Sequence, residues 1–172
     1  MLELNNLIKQ YDGIRAVDSI ELKIEKGSIF GFLGPNGAGK TTTIRMIMGI
    51  IEPDSGDILF NQKNISKYGR DELGYLPEDR GLYQKQKLEE TIKYFASLRG
   101  LDREKGVFQA HYWLERLDLL DQKNRKIEEL SKGNQQKIQF ILSLIHDPSL
   151  LILDEPFTGL DPLNQVLLKE II

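Results

Sequence analysis

Gly34-Pro35-Asn36-Gly37-Ala38-Gly39-Lys40-Thr41 fits G-x-x-x-x-G-K-[ST], the spacing of a phosphate-cradling loop. The apolar run Ser28-Ile29-Phe30-Gly31-Phe32-Leu33 before it predicts a buried strand, and Thr42-Thr43-Ile44-Arg45-Met46-Ile47-Met48 after it predicts a helix. A strand, a Gly-rich turn and a helix start aim several backbone N–H groups and the positive helix end at one point, and a polyanion satisfies that point. Lys40 adds a mobile cation for β and γ phosphates, and the Thr41 hydroxyl suits Mg²⁺. Thr42, next in the helix, completes the candidate nucleotide-binding set Gly34, Pro35, Asn36, Gly37, Ala38, Gly39, Lys40, Thr41 and Thr42. A turn that merely joins a strand to a helix has no need of four residue types at this spacing.

The 172 residues suit one domain with a sizeable core. Charged residues make up 28% and hydrophobic ones 40%, as in ordinary globular proteins. A net charge of −3 gives no reason to expect nucleic acid as a partner. With no cysteine, disulfides and thiolate metal sites are excluded. Met1-Leu2-Glu3-Leu4-Asn5 lacks the basic start and apolar block of a secretory signal. No apolar run is long enough to span a membrane, so any membrane work goes through a partner.

Residues 1–33 read mostly as strand, and Ile20-Glu21-Leu22-Lys23-Ile24-Glu25 alternates like a strand with one wet face. Pro53-Asp54-Ser55-Gly56 signals a turn into a strand at Asp57-Ile58-Leu59-Phe60. Leu73-Gly74-Tyr75-Leu76 is a further short strand, stopped by Pro77. From Leu88 to His146 the period is helical. Val107, Ala110, Leu114 and Leu117 share one face, and Ile138, Ile141, Leu142 and Ile145 share another. Asp147-Pro148 ends the second helix. Leu150-Leu151-Ile152-Leu153 suits a strand covered on both faces, as in a parallel sheet. The fold class is α/β, a P-loop NTPase core with a mainly parallel sheet, an N-terminal antiparallel β subdomain and an inserted helical subdomain. Residues 1–77 and 147–172 form the core and β parts, and residues 78–146 the helical part.

Asp154-Glu155 closes the last strand. In P-loop proteins an Asp here holds Mg²⁺, and the strand carries it to the carboxyl edge of the sheet. Glu155, one residue on, is placed to prepare a water in line with the γ-phosphate. Taken alone, two acids before Pro156 also read as a simple turn.

Three further stretches bring a resemblance into view. Leu130-Ser131-Lys132-Gly133-Asn134-Gln135-Gln136 resembles the LSGGQ signature of ATP-binding cassette (ABC) ATPases, with Lys132 in place of a glycine and Asn134 in place of a glutamine. Gly159-Leu160-Asp161 resembles the family's D-loop, and Tyr11 stands where the family places an aromatic that stacks on adenine. On its own Tyr11 reads as strand packing, and it is the resemblance that points to adenine. Ser131 is a good N-cap for the helix that follows.

The resemblance implies that Ser131 and Gly133 meet the γ-phosphate of a second subunit, so that ATP closes a head-to-tail homodimer. It implies ATP and Mg²⁺ as cofactors, Lys40 and Glu155 as catalytic residues, and Thr41 and Asp154 at the metal. Gly74-Tyr75-Leu76-Pro77-Glu78 stands where the family carries its Q-loop, with Glu78 in place of the usual glutamine, a carboxylate that changes the hydrogen-bonding options. Glu78-Asp79-Arg80-Gly81-Leu82-Tyr83 and the signature together resemble ATP-binding subunits of ABC-2-type exporters. The implied function is ATP hydrolysis coupled to export through a separate ABC-2-type membrane permease docked near residues 78–95. The implied location is cytoplasmic, peripheral on the inner face of the cell membrane.

Family members carry a histidine beyond the D-loop, whereas His111 and His146 both precede Asp154 and read as surface or packing residues. Leu163–Ile172 reads as a helix, and the family has at least one more core strand. A truncated chain that binds ATP and hydrolyses it poorly is the expectation. The competing readings are a soluble ABC ATPase acting on ribosomes or DNA, and a hydrolysis-deficient nucleotide-binding fragment.

Overall fold

The computed structural model describes residues 1–65, 70–78 and 81–172, with Arg70 described in its backbone alone. Asp79 and Arg80, part of the stretch carrying the exporter resemblance, lie outside the described residues. The chain divides into two compact units, Met1–Arg70 and Asp71–Ile172.

The first unit is built on strands β1 (Leu2–Tyr11) and β2 (Ile14–Ile24), followed by helix α1 (Lys40–Ile47), β3 (Ser55–Phe60) and the short β4 (Lys63–Asn64). The strands form one antiparallel sheet in the order β2-β1-β3-β4. Asp12 and Gly13 join β1 to β2, both at positive φ (47° and 83°), the two-residue turn whose twist matches a hairpin. Leu2, Leu4, Leu7, Val17 and Ile58 are buried from the sheet, and Ile44, Met46 and Ile47 from α1. The outer half of β2 alternates between half-buried and exposed residues, as its sequence predicts. Helix α1 ends where Gly49 turns left-handed, with the Ile50 N–H bonded to the Arg45 carbonyl at 2.8 Å.

One element departs from the sequence reading. Ser28–Leu33 is not a strand, and Ile29 and Leu33 are 84% and 92% exposed. A strand needs a neighbour to take its N–H and C=O groups, and no described residue pairs with this run.

The second unit holds β5 (Leu73–Leu76), α2 (Leu88–Leu98), α3 (Arg103–Arg116), α4 (Lys132–Leu144), β6 (Leu150–Leu153) and α5 (Pro162–Ile171). Strands β5 and β6 pair in parallel, Leu73 opposite Leu150 and Leu76 opposite Leu153. A core of Leu76, Leu88, Ile92, Ala96, Ala110, Leu114, Leu117, Ile138, Phe140, Ile141 and Ile145 draws on α2, α3, α4 and β5. Helices α2 and α3 pack against each other, with Gly106 facing Ala96. Asp102 caps α3 by accepting from the Lys105 N–H at 2.8 Å. Strand β6 was expected to be covered on both faces, yet all four residues are half-buried. Its one ladder partner among the described residues is β5, so the sheet has little area for covering layers to rest on.

Both histidines have local hydrogen-bond partners. His111 Nε2 lies 3.0 Å from Glu89 Oε1, and His146 Nε2 donates to the Leu73 carbonyl at 3.0 Å. Burial pulls the Glu89 carboxyl up, but the His111 contact and the Lys93 ammonium outweigh it and hold the group below its ordinary value.

Gly74 fixes the distance between β5 and α4. A Cβ there would run into the Ser143 carbonyl, with Pro148 Cγ at 2.8 Å and Leu151 Cδ1 at 2.9 Å. Because two of those neighbours belong to backbone-anchored groups, Gly74→Ala is expected to destabilise the chain by about 1–3 kcal/mol. Urea unfolding midpoints of the two proteins measure it.

Candidate functional site

The phosphate loop and Tyr11 lie in the first unit. Residues Gly34 to Ala38 are exposed, and Gly39 and Lys40 half-buried. Gly37 and Gly39 both have positive φ (82° and 83°). At Gly39 the left-handed backbone coincides with a close approach, since a Cβ would strike the Ala16 carbonyl and sit 3.2 Å from Val17 Cγ2. Gly39 is also the residue that caps α1, with no side chain to fill the helix end and no acid in the first turn. The first amides of α1 therefore face outward with nothing of their own to neutralise them. Lys40 Nζ bends back over the loop and donates to the carbonyls of Gly34 (2.6 Å) and Pro35 (2.8 Å). Thr43 is buried and returns its hydroxyl to the Gly39 carbonyl at 2.9 Å, while Thr41 and Thr42 are half-buried.

Tyr11 ends β1 beside the hairpin turn and is 46% exposed. Sequence reasoning overlooked its neighbours. Lys9 Nζ lies over the Tyr11 ring, 5.5 Å from its centroid. The same ammonium donates to Asp54 Oδ1 at 2.8 Å, and the Gln10 N–H donates to Asp54 Oδ2 at 2.7 Å. The hydrogen bond to Asp54 holds Lys9 above its ordinary value, and the bonds from Lys9 and then Gln10 hold Asp54 below its own. Nothing in the sequence marks Lys9, and Asp54 reads there only as a turn residue.

Asp154, Glu155, Ser131 and Gly133 lie in the second unit. Asp154 extends the β6 ladder by one bond, its N–H to the Leu76 carbonyl at 2.9 Å. Glu155 then turns left-handed (φ 50°) and exposed. Thr158 closes that turn twice, its N–H to the Glu155 carbonyl at 3.2 Å and its hydroxyl to Glu155 Oε2 at 2.8 Å. Ser131 caps α4 as its sequence predicts, accepting from the Asn134 N–H at 3.2 Å. Gly133 sits against the turn after Glu155, where a Cβ would lie 3.4 Å from the Gly159 carbonyl. Gln136, buried, donates to the Pro156 carbonyl at 3.3 Å. The signature helix thus packs beside the turn that leads into the D-loop. Asp161 begins α5 by accepting from the Asn164 N–H at 3.0 Å and from its side chain, which holds the carboxyl below its ordinary value. Glu78 is exposed just after β5.

Residues 17–158 match the family described as ABC transporter. The chain belongs to the ABC transporter family. An ABC transporter ATP-binding protein of Bacillus subtilis, YhaQ, is 48% identical over 172 residues, all of this chain and 58% of that protein. The lipopolysaccharide export system ATP-binding protein LptB of Escherichia coli is 32% identical over 99% of this chain and 73% of LptB. A solved ATP-binding subunit of an ABC transporter superposes with a TM-score of 0.89 at 31% identity, over 98% of this chain and 72% of that one. The chain spans about 58% of the length of the curated relative it matches at 48% identity. What it carries is the P-loop ATP-binding domain of this family, and no helix among the described residues is long and apolar enough to cross a membrane.

Lys137, on α4, is a buried lysine that donates to the Leu117 carbonyl at 3.0 Å. Burial holds its ammonium below the ordinary 10.5, against the pull of Asp118 and Asp161. In the unfolded chain that proton is bound more tightly, so the cost is fully present at neutral pH and is relieved as pH climbs toward 10.5. Lys137→Met should remove that rise in stability between neutral and alkaline pH. Denaturant titrations across the range check it.

Proposed function

We propose that this chain is the ATP-binding part of an ABC exporter, which binds and hydrolyses ATP and passes the resulting motion to a separate ABC-2-type permease. The observation that carries the reading is the start of α1, where a side-chain-free cap at Gly39, an acid-free first turn and Lys40 leave a concentrated positive site on an exposed loop. In this reading Gly34, Pro35, Asn36, Gly37, Ala38, Gly39, Lys40, Thr41 and Thr42 hold the triphosphate, and Tyr11 stacks on adenine.

The Thr41 hydroxyl and the Asp154 carboxylate are hard oxygen donors of the kind Mg²⁺ takes, and they would hold it. Bound there, Mg²⁺ would neutralise charge on the β and γ phosphates. Glu155 would accept the proton of the attacking water, and its left-handed turn, closed by Thr158, supports that role by holding the carboxylate at a set angle. Ser131 and Gly133 would contact the γ-phosphate of a second copy in an ATP-dependent head-to-tail homodimer. The exposed cap at Ser131 and the coupling of Gly133 to the D-loop favour this.

Residues 1–77 and 147–172 would form the core and β parts of a single ABC domain, and residues 78–146 its helical insertion. The permease would seat on a cleft lined by Tyr83, Gln86, Glu90, Thr91 and Tyr94, with Glu78 in place of glutamine near it in sequence. The exporter type rests on the signature and on the Glu78–Tyr83 stretch. Docking there would hold the chain at the cytoplasmic face of the membrane.

Calorimetric titration with Mg-ATP tests the core of the reading. The chain should take up Mg-ATP, and Lys40→Ala should weaken that uptake by about tenfold or more, since it deletes a charge-assisted bond to phosphate. Unchanged binding by Lys40→Ala would overturn the assignment.

A further inference from the structure

We propose that Lys9 and Asp54 are positioning residues for the nucleotide base: Asp54 fixes the Lys9 ammonium over one face of the Tyr11 ring, so that the base stacks on the other. The inference rests on the reading of Tyr11 as the adenine platform and goes beyond it. That reading leaves open which face of the ring is used and what holds the ring still.

The geometry answers both. Lys9 and Tyr11 are two apart on β1, so their side chains share one side of the strand. The Lys9 ammonium stands 5.5 Å from the ring centroid, within the range of a cation–π contact. Covering one face of an end-of-strand tyrosine leaves the other face to account for its 46% exposure. The ammonium has little freedom to leave. Its bond to Asp54 is 2.8 Å, and Asp54 is itself pinned by the Gln10 N–H at 2.7 Å and by its own N–H to the Ile8 carbonyl at 2.9 Å. Those contacts tie the Pro53–Gly56 turn to β1 next to Tyr11 and make a clasp between two chain segments.

The chemistry explains why a cation is useful there. An ammonium over one face draws π density toward itself, and the opposite face becomes a better surface for an electron-rich purine. A free lysine near a triphosphate would instead reach for phosphate. Asp54 neutralises that tendency and commits the charge to the ring.

Two probes separate this role from general electrostatics. Mg-ATP reports base and phosphates together, and magnesium tripolyphosphate reports the phosphate grip alone. In calorimetric titrations Lys9→Met, which keeps the aliphatic stem, should weaken Mg-ATP about threefold, the size of one exposed cation–π contact. It should leave tripolyphosphate unchanged, and Lys9→Arg should retain wild-type affinity for both. Asp54→Asn is the sharper case, because it removes a negative charge. Bulk electrostatics predicts tighter ATP binding for it, whereas the clasp predicts weaker ATP binding with tripolyphosphate unaffected.

Equal loss of both probes in Lys9→Met or Asp54→Asn would show a structural or long-range charge effect and overturn the proposal. So would wild-type ATP affinity in those variants alongside a loss in Tyr11→Ala, with Tyr11 still standing as the platform. A Tyr11→Ala variant that binds Mg-ATP normally, or a chain that takes up no Mg-ATP, would remove the platform and the proposal together.

Discussion

The Ala16 carbonyl presses on the Cα of Gly39, and the first unit is arranged around that contact. No residue with a side chain fits there, and the left-handed φ would strain one in any case. The contact pins the last turn of the phosphate loop to the start of β2, and α1 begins one residue later. Helix direction, the exposure of its first amides and the placement of Lys40 all follow from where Gly39 stands. Thr43 reinforces the position from inside the helix, its hydroxyl and N–H both on the Gly39 carbonyl. The loop is therefore positioned by backbone against backbone, which no rotamer change can relax.

The second unit uses the same device at α4. Gly74 lets β5 lie directly under the helix backbone at Ser143, and Gly133, near the other end of the helix, faces the Gly159 carbonyl of the D-loop. One helix thus spans the distance between the parallel strand pair and the turn that carries Glu155. Gln136 and Lys137, both polar and buried, stitch it to Pro156 and Leu117. Such buried polar links cost desolvation, as the depressed Lys137 shows, and they tie α4 to the end of α3 and to the turn after Glu155.

Much of this was legible in the sequence because it is local. The P-loop, the helix after it, the strands at Ile20–Glu25 and Leu73–Leu76, the Ser131 cap and the helical faces of α3 and α4 are set by spacing within a few residues. The signature, although two of its residues differ from the family pattern, still begins a capped helix, since capping depends on Ser131 and not on Lys132 or Asn134. Asp12-Gly13 is a hairpin signal of the same local kind. What could not be read is non-local. The Lys9–Asp54 pair joins residues far apart in sequence, and the Ser28–Leu33 run is apolar enough for a strand whether or not a neighbour pairs with it.

That run changes how the phosphate loop should be understood. Ile29, Phe30 and Leu33 leave large apolar surface in water, and burying each fully is worth about 1.5–3 kcal/mol. The segment is tied at its start, where the Ser28 N–H and hydroxyl both reach the Glu25 carbonyl, and again at Gly39. The Lys40 ammonium also holds the Gly34 and Pro35 carbonyls, so the loop is braced on its helix side, whereas no described residue pairs with Ser28–Leu33 on its strand side. Any strand that paired with Ser28–Leu33 would take up its N–H and C=O groups and bury that apolar face as well.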